Sequence, residues 1–182
     1  MRVLKRQRYS PQIAMNLSSN VKFLGVTFNE CLSWEDHISD VCKNASRRVF
    51  ALRRLKSAGI KKDDLIIVYN AFIRSILEHN SPLYVGLLKK DSNKLDKINR
   101  MCHRVICGSR CRENCLGDLS ERRIMRSLKV FQEMMQPNNL LHDLLPRRLL
   151  YSQLLESFLC KTHRRAMSFL PYCTTLYNCN LK

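Results

Sequence analysis

One long amphipathic segment strongly constrains the fold of this chain. Between residues 33 and 59, apolar residues recur at steps of three and four, which is the spacing of one face of an α-helix. The stripe consists of Ile38, Val41, Ala45, Val49, Leu52 and Leu55. Because Ser33 is placed to cap the start and Gly59 to end the segment, the sequence predicts a helix of about six turns with one buried face.

Short β-prone segments precede this helix. Residues 12–17 alternate polar and apolar side chains, residues 18–20 form a turn cluster, and residues 21–28 form a second β-prone segment. We therefore predict a β-hairpin over residues 12–30 that pairs the two segments, with residues 1–11 as a basic N-terminal tail. Since two strands alone are marginally stable, the hairpin is expected to pack on helices or on a sheet outside this chain.

Helical spacing continues beyond the first helix. The second predicted helix starts at Asp63 or Asp64 and ends at Ser81-Pro82, with an inward stripe of Leu65, Val68, Tyr69, Phe72, Ile76 and Leu77. A third ends at Gly108 and buries Leu95, Ile98, Met101, Cys102, Val105 and Ile106. The fourth predicted helix runs from about Leu119 to Met135, and its inward-facing residues are Ile124, Leu128, Phe131 and Met134.

These patterns predict a mainly α fold. An N-terminal β-hairpin is followed by a bundle of about four to five helices, of which the central part covers residues 33–146. Residues 147–182 are predicted to form a basic helix over 147–165 and then an irregular tail that frays after Pro171.

The charge balance indicates a polyanionic partner. Lys and Arg number 32 against 15 Asp and Glu, which gives a net charge of +17. Nucleic acid is the commonest polyanion that offsets such an excess. On the first predicted helix no carboxylate occurs between Asp40 and Asp63, and its single-sign face is predicted to contact phosphates through Lys43, Arg47, Arg48, Arg53, Arg54 and Lys56. A merely solvated face would normally mix both signs.

Nine cysteines without a secretory signal indicate reduced thiols inside the cell, in the nucleus or the cytoplasm. A zinc site is a weak candidate because the closest cysteines contain no Cys-x-x-Cys pair. The densest cluster of possible ligands is Cys102-His103, Cys107, Cys111 and Cys115, and its four cysteines are the candidate zinc ligands. Small buried thiols at the end of an apolar helical face are the favoured interpretation.

No catalytic arrangement is visible in the sequence. Asp63-Asp64 is the only adjacent pair of aspartates, and its position at a helix start favours capping over metal binding. The five scattered histidines do not suggest an iron-binding facial triad, and no glycine-rich phosphate loop occurs. No apolar run reaches the roughly eighteen residues that a membrane span needs. We expect no catalysis, no cofactor and no membrane partner for this chain.

The strand-to-helix junction resembles that of a known family. Residues 21–28 read Val-Lys-Phe-Leu-Gly-Val-Thr-Phe and are followed by Leu32-Ser33-Trp34 and His37-Ile38. This order is similar to the end of the palm in reverse transcriptases of non-LTR retrotransposons, where a Lys-Phe/Tyr-Leu-Gly-Val strand precedes Leu-x-Trp-x-x-His-Ile. Residues 45–55, 68–79 and 95–106 resemble later segments of that family, with His79 at a usual Tyr and Asn99 at a usual Gln.

The resemblance covers residues 12–146 and implies a role in holding nucleic acid. The hairpin would correspond to the primer grip, with Phe23, Leu24 and Gly25 as its residues, and residues 33–146 would correspond to the thumb. The whole polymerase uses Mg²⁺ at an aromatic-x-Asp-Asp motif that this chain does not contain. The resemblance therefore implies a non-catalytic part without palm and fingers, which binds the backbone of an RNA/DNA template–primer duplex without sequence specificity.

Two alternatives remain open. The chain could be a helical protein-interaction module whose basic face meets an acidic partner. Stretches like this are also classed with a short segment of AlkB-type tRNA-modifying dioxygenases, a relation that would imply oxidation or methyl transfer. Neither an iron triad nor a cofactor-binding glycine loop supports that last interpretation.

Overall fold

A two-stranded hairpin followed by helices makes up the part of the chain that the computed structural model describes, residues 19–108, 115–149 and 152–180. The strands are β1 (Asn20–Phe23) and β2 (Val26–Asn29). The α-helices are α1 (Glu35–Ser57), α2 (Lys62–Val68), α3 (Ser75–Leu77), α4 (Lys89–Cys107), α5 (Leu119–Met134), α6 (His163–Ala166) and α7 (Phe169–Asn180). The predicted mainly α fold with an N-terminal hairpin is confirmed.

The hairpin has a different pairing from the predicted one. Residues 21–28 do not form one strand, because the chain reverses at Leu24-Gly25 and pairs Phe23 with Val26. Both turn residues have positive φ, 47° and 83°, as a two-residue type I′ loop requires. The prediction that residues 21–28 form one strand paired with residues 12–17 is therefore wrong for residues 21–28, which contribute to both strands of the hairpin. Residues 12–17 and the predicted tail 1–11 lie outside the described residues.

Helix α1 confirms the predicted stripe and its end. Of the six stripe residues, five are buried and Leu55 is half-buried. The helix ends at Ser57, just before Gly59 with φ 84°. The predicted Ser33 cap is wrong, because Ser33 Oγ instead accepts a hydrogen bond from Asn29 Nδ2 at 2.7 Å, and the N-cap position is Trp34.

The second helix changes its geometry midway. A π-helical segment, Tyr69–Arg74, joins α2 to α3. The buried positions of this unit follow steps of four, so Ile73 takes the place of Phe72 after Tyr69, and Leu77 is buried as predicted. Ile73 is buried, whereas Phe72 is 58% exposed, so the predicted inward position of Phe72 is wrong.

The main core lies between α1, the α2–α3 unit and α4. Helix α1 packs along α4, and Tyr69, Leu95 and Cys102 are fully buried in this cluster. Helix α5 packs against a 3₁₀ turn at Ser81–Tyr84 and against α7. Its predicted inward residues Ile124 and Leu128 are only half-buried. The positions that α5 buries recur at steps of four and three and are Leu119, Arg123, Ser127, Phe131 and Met134.

The C-terminal part differs most from the prediction. A basic helix over 147–165 is wrong, because the described residues there contain an isolated Arg148–Leu155 bridge and only the short α6. The predicted fraying after Pro171 is also wrong, because α7 continues to Asn180. Tertiary contacts hold α7: the ring of Phe131 lies 6.4 Å from Phe169 and 6.0 Å from Tyr177.

Candidate functional site

The solvent face of α1 carries a row of cations around one aromatic ring. At 3.6 residues per turn, Lys43, Arg47, Phe50 and Arg54 lie on the side opposite the buried stripe. All four side chains are exposed, Phe50 to 63%. We call these four residues the α1 row. Within it, Lys43 Nζ lies 3.7 Å from Asp40, an exposed pair of little energetic weight.

The other predicted basic residues of α1 lie nearer the helix–helix contacts. Arg48 Nη1 donates to the Phe72 carbonyl at 2.7 Å, and Lys56 Nζ donates to the Ile106 carbonyl at 3.4 Å. These two side chains therefore connect α1 to the π-helical segment and to the end of α4. Arg53 is exposed on the flank between the row and the core.

Sequence reasoning missed Phe50. Its signal was available, because an aromatic residue that lies outside the apolar stripe and three residues after Arg47 falls on the basic face. Exposed aromatic rings among cations provide a stacking surface for bases, and the cations contact the backbone phosphates. The α1 row therefore places both kinds of side chain on one solvent face.

The three predicted primer-grip residues lie at the tip of the hairpin. Phe23 is 63% exposed and Leu24 is 79% exposed. Leu24 holds a left-handed conformation that costs an ordinary residue about 1 kcal/mol or more. The tip of the hairpin therefore exposes apolar surface to solvent.

The side chain of His37, in the first turn of α1, is hydrogen-bonded to the hairpin. The Thr27 amide donates to His37 Nδ1 at 3.4 Å, and the imidazole packs 5.7 Å from the Tyr84 ring. Burial lowers the pKa of His37, so the ring is neutral and fixed in a hydrogen-bonding role. Among the described residues, His37 belongs to no group of three or more metal-ligating side chains.

A cleft of about 700 Å³ lies beside the hairpin. Phe28, Trp34 and Leu83 form its apolar side, and Arg164 and Arg165 of α6 lie on its rim. The 162–168 segment lines the cleft, and Met167 packs so closely on Gly86 that a Cβ atom there would clash with the Met167 carbonyl oxygen.

The aspartates at the start of α2 show no sign of a metal site. Asp63 and Asp64 are exposed in the first turn after the N-cap residue Lys61, and the cap has no side-chain hydrogen bond. Their negative charges stabilise the positive end of the helix dipole. The favoured capping role is therefore limited to this charge interaction.

A cluster of metal-ligating side chains lies at the end of α4. His103 Nε2 is 3.6 Å from Cys115 Sγ, which is 2.8 Å from Cys107 Sγ. All three donor atoms lie within 4.8 Å of one another. The predicted candidate Cys102 is not among them, because its side chain is fully buried and burial raises its pKa to about 12. The fourth candidate, Cys111, lies outside the described residues.

Comparison of the chain with protein-family models, curated proteins and solved structures gives no match. No helix within the described ranges is both long and apolar enough to cross a membrane. The surfaces themselves must therefore support any functional conclusion.

Proposed function

We propose that this chain binds the backbone of a nucleic-acid duplex without sequence specificity, as the thumb-like and primer-grip-like part of a non-LTR retrotransposon reverse transcriptase. The observation that carries this proposal is the α1 row. Three cations and one aromatic ring share a solvent face, and no carboxylate follows Asp40 on that helix.

The electrostatics of the α1 row favour phosphate over an isolated carboxylate. Lys43, Arg47 and Arg54 are spaced by one and two helical turns, so a rigid helix presents them as a line of charges. A duplex backbone offers a matching line of phosphates and releases counterions on binding. No side-chain hydrogen bond or ion pair within the described residues engages Arg47 or Arg54, so binding breaks no internal contact there.

The hairpin tip supports the second half of the proposal. Phe23 and Leu24 expose apolar surface on a protein that is otherwise strongly basic, and the turn geometry holds their positions. In the proposed role, this tip contacts sugar and base surface at the end of the primer strand, and α1 holds the duplex backbone. The chain contributes binding and no chemistry, and Mg²⁺ chemistry would belong to a palm domain.

Charge reversal on α1 tests the proposal. Fluorescence anisotropy with a labelled RNA/DNA duplex would measure Kd from about 50 to 200 mM salt, the range over which phosphate contacts weaken. We expect Arg47→Glu combined with Arg54→Glu to weaken binding at least tenfold at low salt. We also expect the plot of log K against log salt to become less steep, with the magnitude of its negative slope reduced by about 2, one per lost phosphate contact.

The matched control reverses two exposed cations on other segments, Arg147→Glu with Lys161→Glu, and so changes the net charge equally. It should keep the wild-type slope. Absence of duplex binding at low salt, or an equal loss in both double variants, would contradict the proposal. Tight binding to polyglutamate with no binding to duplex would instead indicate an acidic protein partner.

A further inference from the structure

We propose that His103, Cys107 and Cys115 bind one Zn²⁺ ion that links the last turn of α4 to the segment before α5. This inference is independent of the nucleic-acid proposal. It rests on three soft donors that two separate segments bring together.

The sequence places two of the donors on one helical face. His103 and Cys107 are four residues apart in α4, so their side chains lie one above the other. Cys115 comes from the other side of the α4–α5 connection, and Leu116 next to it is buried in the main core. The packing of Leu116 therefore holds Cys115 beside the end of α4.

One of the observed distances between donor atoms equals that expected of a zinc site. With Zn–S and Zn–N bonds of about 2.3 and 2.0–2.1 Å, tetrahedral ligands lie about 3.6 Å apart for sulfur and nitrogen, and about 3.8 Å apart for two sulfurs. The observed separation between Cys115 Sγ and His103 Nε2 is 3.6 Å. The two sulfurs, at 2.8 Å, would have to separate by about 1 Å to hold the same ion.

The donor set selects the metal. Two thiolates and one imidazole favour Zn²⁺ over Mg²⁺ or Ca²⁺, which take oxygen ligands. The site also lies at the negative end of the α4 dipole, where a cation is stabilised. Three protein ligands leave the fourth tetrahedral position for a further ligand or a water molecule.

The position of the site implies a structural effect. The segment after Cys115 is already tied to the core, because the Asn99 side chain donates to the Gly117 carbonyl at 3.0 Å and Arg122 donates to the Leu116 carbonyl. A metal ion at the end of α4 would attach the start of this segment, at Cys115, to that helix. Binding only to the folded state, it would raise the stability of the α4–α5 junction.

Cobalt titration of the full chain tests the site. The reduced, chelator-treated protein would be titrated with Co²⁺ and then with Zn²⁺. We expect one equivalent of Co²⁺ to produce thiolate charge-transfer and tetrahedral d–d absorption, and Zn²⁺ to abolish both. Cys107→Ser, Cys115→Ser and His103→Gln should each lower the metal affinity at least about tenfold.

Two controls separate this site from general thiol binding. Cys31→Ser removes an exposed cysteine elsewhere and should leave the titration unchanged. His103→Cys keeps a metal ligand at the same position and should retain binding that His103→Gln loses. The proposal is overturned if wild-type protein shows no tetrahedral absorption, if all three ligand variants keep it, or if peptide mapping of metal-free purified protein finds a Cys107–Cys115 disulfide.

Discussion

At the scale of single residues, a buried hydrogen-bonded chain connects three elements. Tyr69 of the π-helical segment donates its hydroxyl to Asn99 Oδ1 at 2.6 Å, and Asn99 Nδ2 donates to the Gly117 carbonyl at 3.0 Å. Both side chains are buried. Since buried polar groups are stable only when they are paired, the Asn99 amide depends on both neighbours.

We expect Tyr69→Phe to lower the free energy of unfolding by about 1–3 kcal/mol, because it leaves Asn99 Oδ1 buried without its donor. Urea denaturation followed by circular dichroism would measure the change. The control Tyr177→Phe removes the hydroxyl of a half-buried tyrosine and should change stability by less than about 0.5 kcal/mol. Equal effects of the two substitutions would contradict this role of Tyr69.

At the scale of elements, one carboxylate joins the α2–α3 unit to α5. Glu78 follows α3, and its side chain is 12% exposed. Its carboxylate lies 2.7 Å from Arg122 Nε, 3.5 Å from Arg74 Nε and 3.8 Å from Arg126 Nη1. Two of these arginines belong to α5, so the single negative charge holds two helices together.

We expect Glu78→Gln to destabilise the fold by about 1–2 kcal/mol, because the largely buried carboxylate is the common counter-charge of Arg74, Arg122 and Arg126, whose side chains are 38%, 29% and 57% exposed. Chemical denaturation would measure the loss. The comparison variant Glu35→Gln breaks the exposed pair with Lys90, also at 2.8 Å, and should have a much smaller effect because solvent screens that pair. If both variants lose the same stability, burial is not what gives Glu78 its importance.

At the scale of the whole molecule, burial affects the ionisation of several tyrosine and cysteine side chains. It raises the pKa of Tyr69, Tyr84 and Cys102 in the main core, and that of Cys173 against α5, each to about 12. The same groups titrate near 10 for tyrosine and about 8.5 for cysteine when the chain is unfolded. Each folded-state pKa is therefore raised.

A raised pKa on a neutral acid gives stability that is complete below the unfolded pKa and is lost as the pH approaches the folded pKa. We therefore expect the urea midpoint to be constant between about pH 7 and 8 and to fall steadily between about pH 9 and 12. Tyrosinate absorption should show tyrosines that ionise only with unfolding. Complete tyrosine titration near pH 10 with retained circular dichroism would contradict this expectation.

The helical periodicity could be predicted from the sequence wherever the spacing of side chains along one helix decides the structure. The stripe of α1, its end before Gly59 and the end of α4 at Gly108 follow from side-chain positions within a few turns. Helical spacing also places Lys43, Arg47 and Arg54 opposite the buried stripe and places Arg48 and Lys56 beside it. Only the tertiary structure shows that Arg48 and Lys56 donate to the carbonyl groups of Phe72 and Ile106.

The sequence by itself determined the mainly helical class, the buried stripe of α1 and the concentration of positive charge, because each depends on composition or on spacing along one helix. Only the tertiary structure decided the reversal at Leu24-Gly25, the burial of Ile73 in place of Phe72, the helix at 169–180, and the choice of His103 over Cys102 beside Cys107. In each of these cases, contacts between segments distant in the sequence determine which side chain is buried and which atoms meet.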